Sequence, residues 1–213
     1  MPDAQIDSSP EPSANPDSAP ARKRPKPGER RVQILQTLAS MLEQPGAERV
    51  TTAALAARLE VSEAALYRHF ASKAQMFEGL IEFIETSIFS LLNQIAERET
   101  DGLAQAQRIV AVLLQFGERN PGMARVMVGD ALVYENERLV ARMNQFFDKV
   151  ESSLRQALRT AAEASGSSTP TVEAQAQASV LVSFIIGRLQ RYARSGFKRL
   201  PTEQLDAAMR MLA

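Results

Sequence analysis

Thr51-Thr52-Ala53-Ala54-Leu55-Ala56-Ala57-Arg58-Leu59-Glu60-Val61-Ser62-Glu63-Ala64-Ala65-Leu66-Tyr67-Arg68-His69-Phe70-Ala71-Ser72-Lys73 is the stretch on which the fold turns. Hydroxyl side chains stand just before short apolar-periodic runs, where they can accept hydrogen bonds from unpaired backbone amides. Thr52 is predicted to cap a helix through Leu59, and Ser62 a second helix that runs to Phe70. Leu55, Leu59, Val61, Leu66 and Phe70 point inward on this reading, and the alanines let the two helices approach closely. The polar face of the second helix is then free to enter a major groove.

Outward from that unit the helical period continues. Ile34, Leu35, Leu38 and Leu42 make the stripe of a first helix, which Pro45-Gly46 is expected to end. Ser72 is expected to cap a long fourth helix with Met76, Phe77, Leu80, Ile81, Ile84, Ile88, Leu91, Leu92 and Ile95 toward the core. A fifth spans roughly 103–118 and stops at Asn120-Pro121-Gly122, because proline cannot continue the hydrogen-bond ladder. After a short sixth, Leu132, Leu139, Met143, Phe146, Phe147, Val150, Leu154 and Leu158 mark a long seventh. The small, polar run 165–170 reads as a mobile loop, and two helices, about 172–195 and 202–212, close the chain. No segment alternates with the period of a strand. The expected fold is all-α with about nine helices: a helix-turn-helix domain over 28–75 and a larger helical domain over 76–213.

Charge sharpens the reading. The 213 residues carry 25 basic and 25 acidic side chains, yet they are unevenly placed. Asp3, Asp7, Glu11 and Asp17 are the only charges in 1–20, whereas Arg22, Lys23, Arg24, Lys26, Arg30, Arg31, Arg49, Arg58, Arg68 and Lys73 crowd 21–73. Phosphate neutralisation needs such local clustering whatever the net charge, and an ordinary solvated face is the alternative. Residues 1–27 hold seven of the chain's eleven prolines and almost no apolar side chains, so this acidic arm with a basic end reads as disordered. Its Arg22–Lys26 end either follows DNA phosphates or simply keeps the chain soluble.

Whole classes of function fall away. There is no cysteine and one histidine, His69, so disulfides, thiolate nucleophiles, sulfur-bound metals and the usual acyl-transfer arrangements are not expected. No apolar run approaches the about 20 residues that span a bilayer, and the amino terminus is acidic rather than basic then apolar. The expectation is a non-enzyme without metal, cofactor or membrane, in the cytoplasm.

The run through Leu66, Tyr67, His69, Phe70 and Lys73 resembles the hallmark Leu-Tyr-x-His-Phe-x-x-Lys of the TetR family of DNA-binding proteins. That resemblance implies that Tyr67, His69 and Lys73 hold backbone phosphates while Ser62, Glu63, Ala64 and Arg68 face base edges. Thr51 and Thr52 would bond phosphates at the start of the preceding helix. Glu60 stands where this turn often has glycine, so either it is held at positive φ or the turn is drawn differently. Ser62–Phe70 and, beyond the shared domain, Leu80-Ile81-Glu82-Phe83-Ile84-Glu85, Phe116-Gly117-Glu118-Arg119-Asn120-Pro121-Gly122 and Arg142-Met143-Asn144-Gln145-Phe146-Phe147 are similar to the nucleoid occlusion branch of the family. Membership there implies a homodimer on the nucleoid that binds palindromic double-stranded DNA sites and also the tubulin-like division protein FtsZ. Phe83, Val112 and Arg119 would then lie on the FtsZ-binding surface, where Leu91 departs from a polar position. A ligand-responsive repressor of the same family is the alternative, although no small-molecule ligand is required by the first reading.

Two further expectations come from the residues themselves. At about 100° per residue, Phe83 and Phe89 fall more than a quarter turn from the core stripe of the fourth helix, which suits an exposed partner surface unless neighbours cover that helix on several sides. A single recognition helix reads too few base pairs, so two are expected about 34 Å apart in a dimer. Val180, Leu181, Phe184, Ile185, Gly187 and Leu189 make the apolar face that could join the protomers, an intramolecular core being the other use for it. Both surfaces fall within 76–213, which makes it the expected dimerisation and partner-binding domain.

Overall fold

The computed structural model describes residues 28–44 and 49–212. The expectations for the arm and for Pro45-Gly46 lie outside the described residues. Among those described, nine α-helices follow in order: α1 Glu29–Leu42, α2 Thr52–Arg58, α3 Glu63–Tyr67, α4 Lys73–Arg98, α5 Gly102–Arg119, α6 Pro121–Met127, α7 Glu137–Ala164, α8 Pro170–Arg194 and α9 Leu205–Leu212, with one 3-10 turn at Asp130–Leu132. No strand occurs among the described residues.

Local chemistry sets most helix starts. Ser62 and Ser72 cap α3 and α4 by accepting from the amides of Ala65 and Gln75, and Asp101 caps α5 through Leu103 and Ala104. The cap of α2 is Thr51, which accepts from the Ala54 amide, rather than the expected Thr52. The run at 120–122 ends one helix and begins another: Asn120 closes α5 and Pro121 is the first residue of α6, where its missing N–H costs nothing. Leu132 belongs to the 3-10 turn and not to α7, because Asn136 accepts from the Arg138 amide and starts that helix afresh.

α7 and α8 form a helical hairpin across 165–169, and α5 packs against both. Ile84 and Ile88 of α4, Leu113 of α5, Phe146 and Leu154 of α7, and Leu181 and Ile185 of α8 are fully buried in this core. Each such side chain contributes about 1.5–3 kcal/mol by leaving water. Leu91, assigned to the core by periodicity, is instead exposed. α1, α2 and α3 stand at the amino-terminal end, with Ile34, Leu38, Leu55, Leu66 and Phe70 closing a smaller extension of the same core. α6 rests across α1, where Gly122 lets the two backbones meet.

Candidate nucleic-acid interface

α3 buries Leu66 and leaves Glu63, Ala64, Tyr67 and Arg68 exposed, so its outward face is the polar one the sequence predicts. Phe70, just beyond it, is the buried peg, and the Arg31 guanidinium lies 4.1 Å from the centre of its ring. Arg31 also donates to the His69 carbonyl at 2.7 Å, which fixes the exit of α3 from below. Sequence reading placed Arg31 only among the basic residues. Its structural work depends on a contact 38 residues away, which no local pattern signals.

The turn between α2 and α3 holds Glu60 at φ 54°, the left-handed conformation expected if the turn keeps its usual shape. For a residue with a Cβ that conformation costs about 1 kcal/mol. The hydroxyls of Thr51 and Ser62 are used as acceptors within their own helices, leaving their protons for an outside anion. Thr52 donates to the Glu63 carboxylate at 2.6 Å, which ties the start of α2 to the start of α3. Glu63 therefore meets any base edge with its carboxylate already oriented.

Tyr67 is 45 % exposed, and His69 is exposed beside it. Lys73 is different. As the first residue of α4 it is half-buried, sits 5.7 Å from the centre of the Phe77 ring, and pairs with Glu135 from the segment that leads into α7. Of the nine residues implied for DNA, eight lie on the accessible surfaces of α2 and α3 and their flanks, and Lys73 is shared with the second half of the chain.

The proposed partner surface lies on α4 and α5. Phe83 is 49 % exposed, and its ring stacks at a tilt on Phe116 with centroids 6.2 Å apart. Phe116 stands between Val112 and Arg119 on one face of α5, so it joins the three expected residues into one patch. Val112 is half-buried and Arg119 exposed. Phe116 was missed because only spatial proximity gives it a role. Phe89, expected to be exposed with Phe83, is half-buried edge-on against Phe146, with the Lys149 ammonium 6.0 Å from its ring centre.

The expected dimer face divides in two. Leu181, Ile185 and Leu189 are fully buried within the chain's own core and cannot meet a partner. Val180 is 49 % exposed, Phe184 is half-buried, and a Cβ on Gly187 would meet nothing within 4 Å. The adjacent side of α8 is thus the one left open.

The described helices, with a short capped reading helix outside the core, define a DNA-binding fold of the TetR type. PfmR, a TetR-family transcriptional regulator from Thermus thermophilus, shares this fold with a TM-score of 0.70 at 19% identity, over 84% of this chain and 96% of its own. AibR, solved with isovaleryl coenzyme A and operator DNA, does so with a TM-score of 0.65 at 17% identity, over 86% and 97%. Residues 34–80 match the model described as bacterial regulatory proteins, tetR family, and residues 100–213 match the SlmA-like model described as tetracyclin repressor-like, C-terminal domain. The nucleoid occlusion factor SlmA of Vibrio cholerae serotype O1 is 51% identical over 86% of this chain and 94% of its own length. Its counterpart in Photobacterium profundum is 49% identical over the same shares. The chain belongs to the SlmA family of nucleoid occlusion factors. Among the described residues no helix is long and apolar enough to cross a membrane.

Proposed function

We propose that this protein is a DNA-bound inhibitor of cell division, with α1–α3 as the unit that reads DNA and the remaining helices as the unit that dimerises and binds FtsZ. Two protomers join through the open side of α8 around Val180, Phe184 and Gly187, present two copies of α3 to a palindromic site, and hold FtsZ off polymerisation near the nucleoid. No cofactor or small ligand takes part. The observation that carries this reading is the patch of half-exposed Phe83 stacked on Phe116 near exposed Arg119, an aromatic and a guanidinium of the kind that anchor protein interfaces. Its residues belong to α4 and α5 and none to α1–α3, so DNA and partner engage different helices.

A ligand-responsive repressor would need a mainly apolar pocket. An open recess of about 310 Å³ between α4, α5 and α7, lined by Leu92, Ile95, Ala96 and Ile109 beside Asn93, Gln105 and Ser152, is where such a ligand would be sought, and release from DNA on adding a small molecule would support that reading.

The test is sedimentation of FtsZ polymers in GTP, with this protein and a duplex it selects from a random pool. Pelleted FtsZ should fall, and Phe83→Ala should restore it while leaving DNA affinity unchanged. Unchanged pelleting by the natural protein would overturn the reading.

A further inference from the structure

Lys73 lies where two demands meet. It opens α4, six residues beyond the last residue of the reading helix, and its ammonium is paired with Glu135 across 62 residues of sequence. Glu135 keeps only 9% of its side chain exposed and Lys73 25%, so this pair is better shielded than a surface pair. The same register continues along α4 and the start of α7: Glu78 pairs with Arg138 at 2.7 Å and Glu85 with Arg142 at 2.5 Å. Those two acids have arginine partners of their own, which leaves Lys73 as the cation for Glu135. An ammonium is a compact point charge. A phosphate brought to it while Glu135 stays in contact would set two anions within a few ångströms of each other, in a region that water screens poorly.

We propose that Glu135 is a positioning residue for DNA binding: it holds the Lys73 ammonium in the free protein and yields it to a DNA phosphate, so the phosphate contact and the first rung of the α4–α7 ladder exclude each other. The proposal rests on the DNA-reading role of α3 and Lys73 set out above. Its consequence is a link between the two halves of the chain. When phosphate takes Lys73, the segment joining the 3-10 turn to α7 loses its tether, and that segment carries Val133 and Tyr134, 67% and 65% exposed. By linkage, anything that pulls this segment away from Lys73 raises affinity for DNA by the same factor that DNA loosens the segment.

The experiment measures affinity of the full chain for the selected duplex by anisotropy over a series of salt concentrations, with Glu135→Gln, Lys73→Met and the double variant. Glu135→Gln should tighten binding about tenfold at low salt, because an opposing carboxylate is gone. The slope of log affinity against log salt should steepen by up to about 0.9 per protomer, since in the natural protein the freed Glu135 carboxylate takes up a cation that offsets the one released at the phosphate. Lys73→Met should cost more affinity in the Glu135→Gln background than in the natural protein. If Glu135→Gln does not fold, Glu135→Asp should shift affinity and slope in the same direction by less. Equal cost of Lys73→Met in both backgrounds, with no change of slope from either Glu135 variant, would overturn the proposal while leaving the DNA reading intact. No effect of Lys73→Met in either background would instead overturn the role of Lys73 in the DNA reading, and this proposal with it.

Discussion

Two contacts around the amino-terminal helices, one on α1 itself and one beginning at Lys73 just past α3, are built on opposite principles. Where α6 crosses α1, the contact is backbone against backbone: a Cβ on Gly122 would lie 2.2 Å from the Ala39 carbonyl oxygen, and Met123, Ala124 and Met127 are buried around it. Where α4 meets the start of α7, three ion pairs with partly buried carboxylates join them through long, flexible side chains. A close-packed seam has one geometry, because a shift of a few tenths of an ångström already forfeits contact. An ion-pair seam tolerates such shifts and answers to salt and to competing anions. The α1–α6 contact should therefore keep its geometry where the α4–α7 ion pairs give way to salt.

The comparison breaks most visibly at its rigid side. Gly122→Ala should destabilise the chain by about 3 kcal/mol, the cost of forcing a methyl into a filled backbone contact. Urea titration is the measurement, and a midpoint equal to that of the natural protein would show that α6 can slide on α1. Next in size is Arg142→Met, which strips Glu85 of a two-point contact at 2.5 and 3.3 Å. Glu85 also holds the Arg142 proton more tightly than usual, chiefly through that hydrogen bond, against the opposing effect of burial. Both groups remain partly solvated, so the loss should be about 1.5 kcal/mol. It should shrink in molar salt, and a loss independent of salt would mean the arginine acts through packing alone.

Half of this contrast was legible in the sequence. The serines at 62 and 72 announce their helices because a cap acts within three residues, and the apolar stripes of α4 and α7 show because burial repeats with the turn of the helix. The glycine seam was not legible: Pro121-Gly122 reads locally as a stop, and only the approach of α1 explains why glycine follows proline there. Nor could periodicity divide α8, since Leu181, Ile185 and Leu189 and their neighbours Val180 and Phe184 are all apolar, while only the fold decides which side is already covered. Within the reading unit the residues of α2 and α3 were recognisable from their motif. Glu135 and Phe116 were not, because each gains its role from a side chain far away in sequence.

A smaller effect tests what stands behind the rigid seam. Arg125 of α6 donates to the Gln44 carbonyl at 3.4 Å and lies 5.3 Å from the Phe197 ring, which meets Tyr192 edge-on at 5.1 Å. The Tyr192 hydroxyl donates to the Glu118 carbonyl at 3.0 Å, and burial, then the Glu118 charge, push its pKa upward. A phenol whose folded pKa exceeds its unfolded value stabilises the fold fully below the ordinary tyrosine pKa of about 10, and that contribution fades as pH climbs through the raised value. Tyr192→Phe should cost about 1 kcal/mol at pH 7. The gap between the two proteins should narrow in strongly alkaline solution, and a constant gap would assign the cost to ring packing.

The least effect is expected at Gly79, and it is the most discriminating. Like Gly122 it faces α1, but from α4, and a Cβ there would meet the Leu35 side chain at 3.0 and 3.1 Å instead of backbone. The end of a leucine can turn aside where a carbonyl cannot. Against that small strain, alanine in the interior of a helix gains up to about 1 kcal/mol over glycine. The two effects oppose each other, so Gly79→Ala should leave the urea midpoint nearly where it was, within about 0.5 kcal/mol. Were Gly79→Ala as damaging as Gly122→Ala, α1 would be clamped equally from both sides. The distinction between a fixed seam and an adjustable one would then fail at its simplest point, since the same added methyl could no longer tell yielding neighbours from unyielding ones.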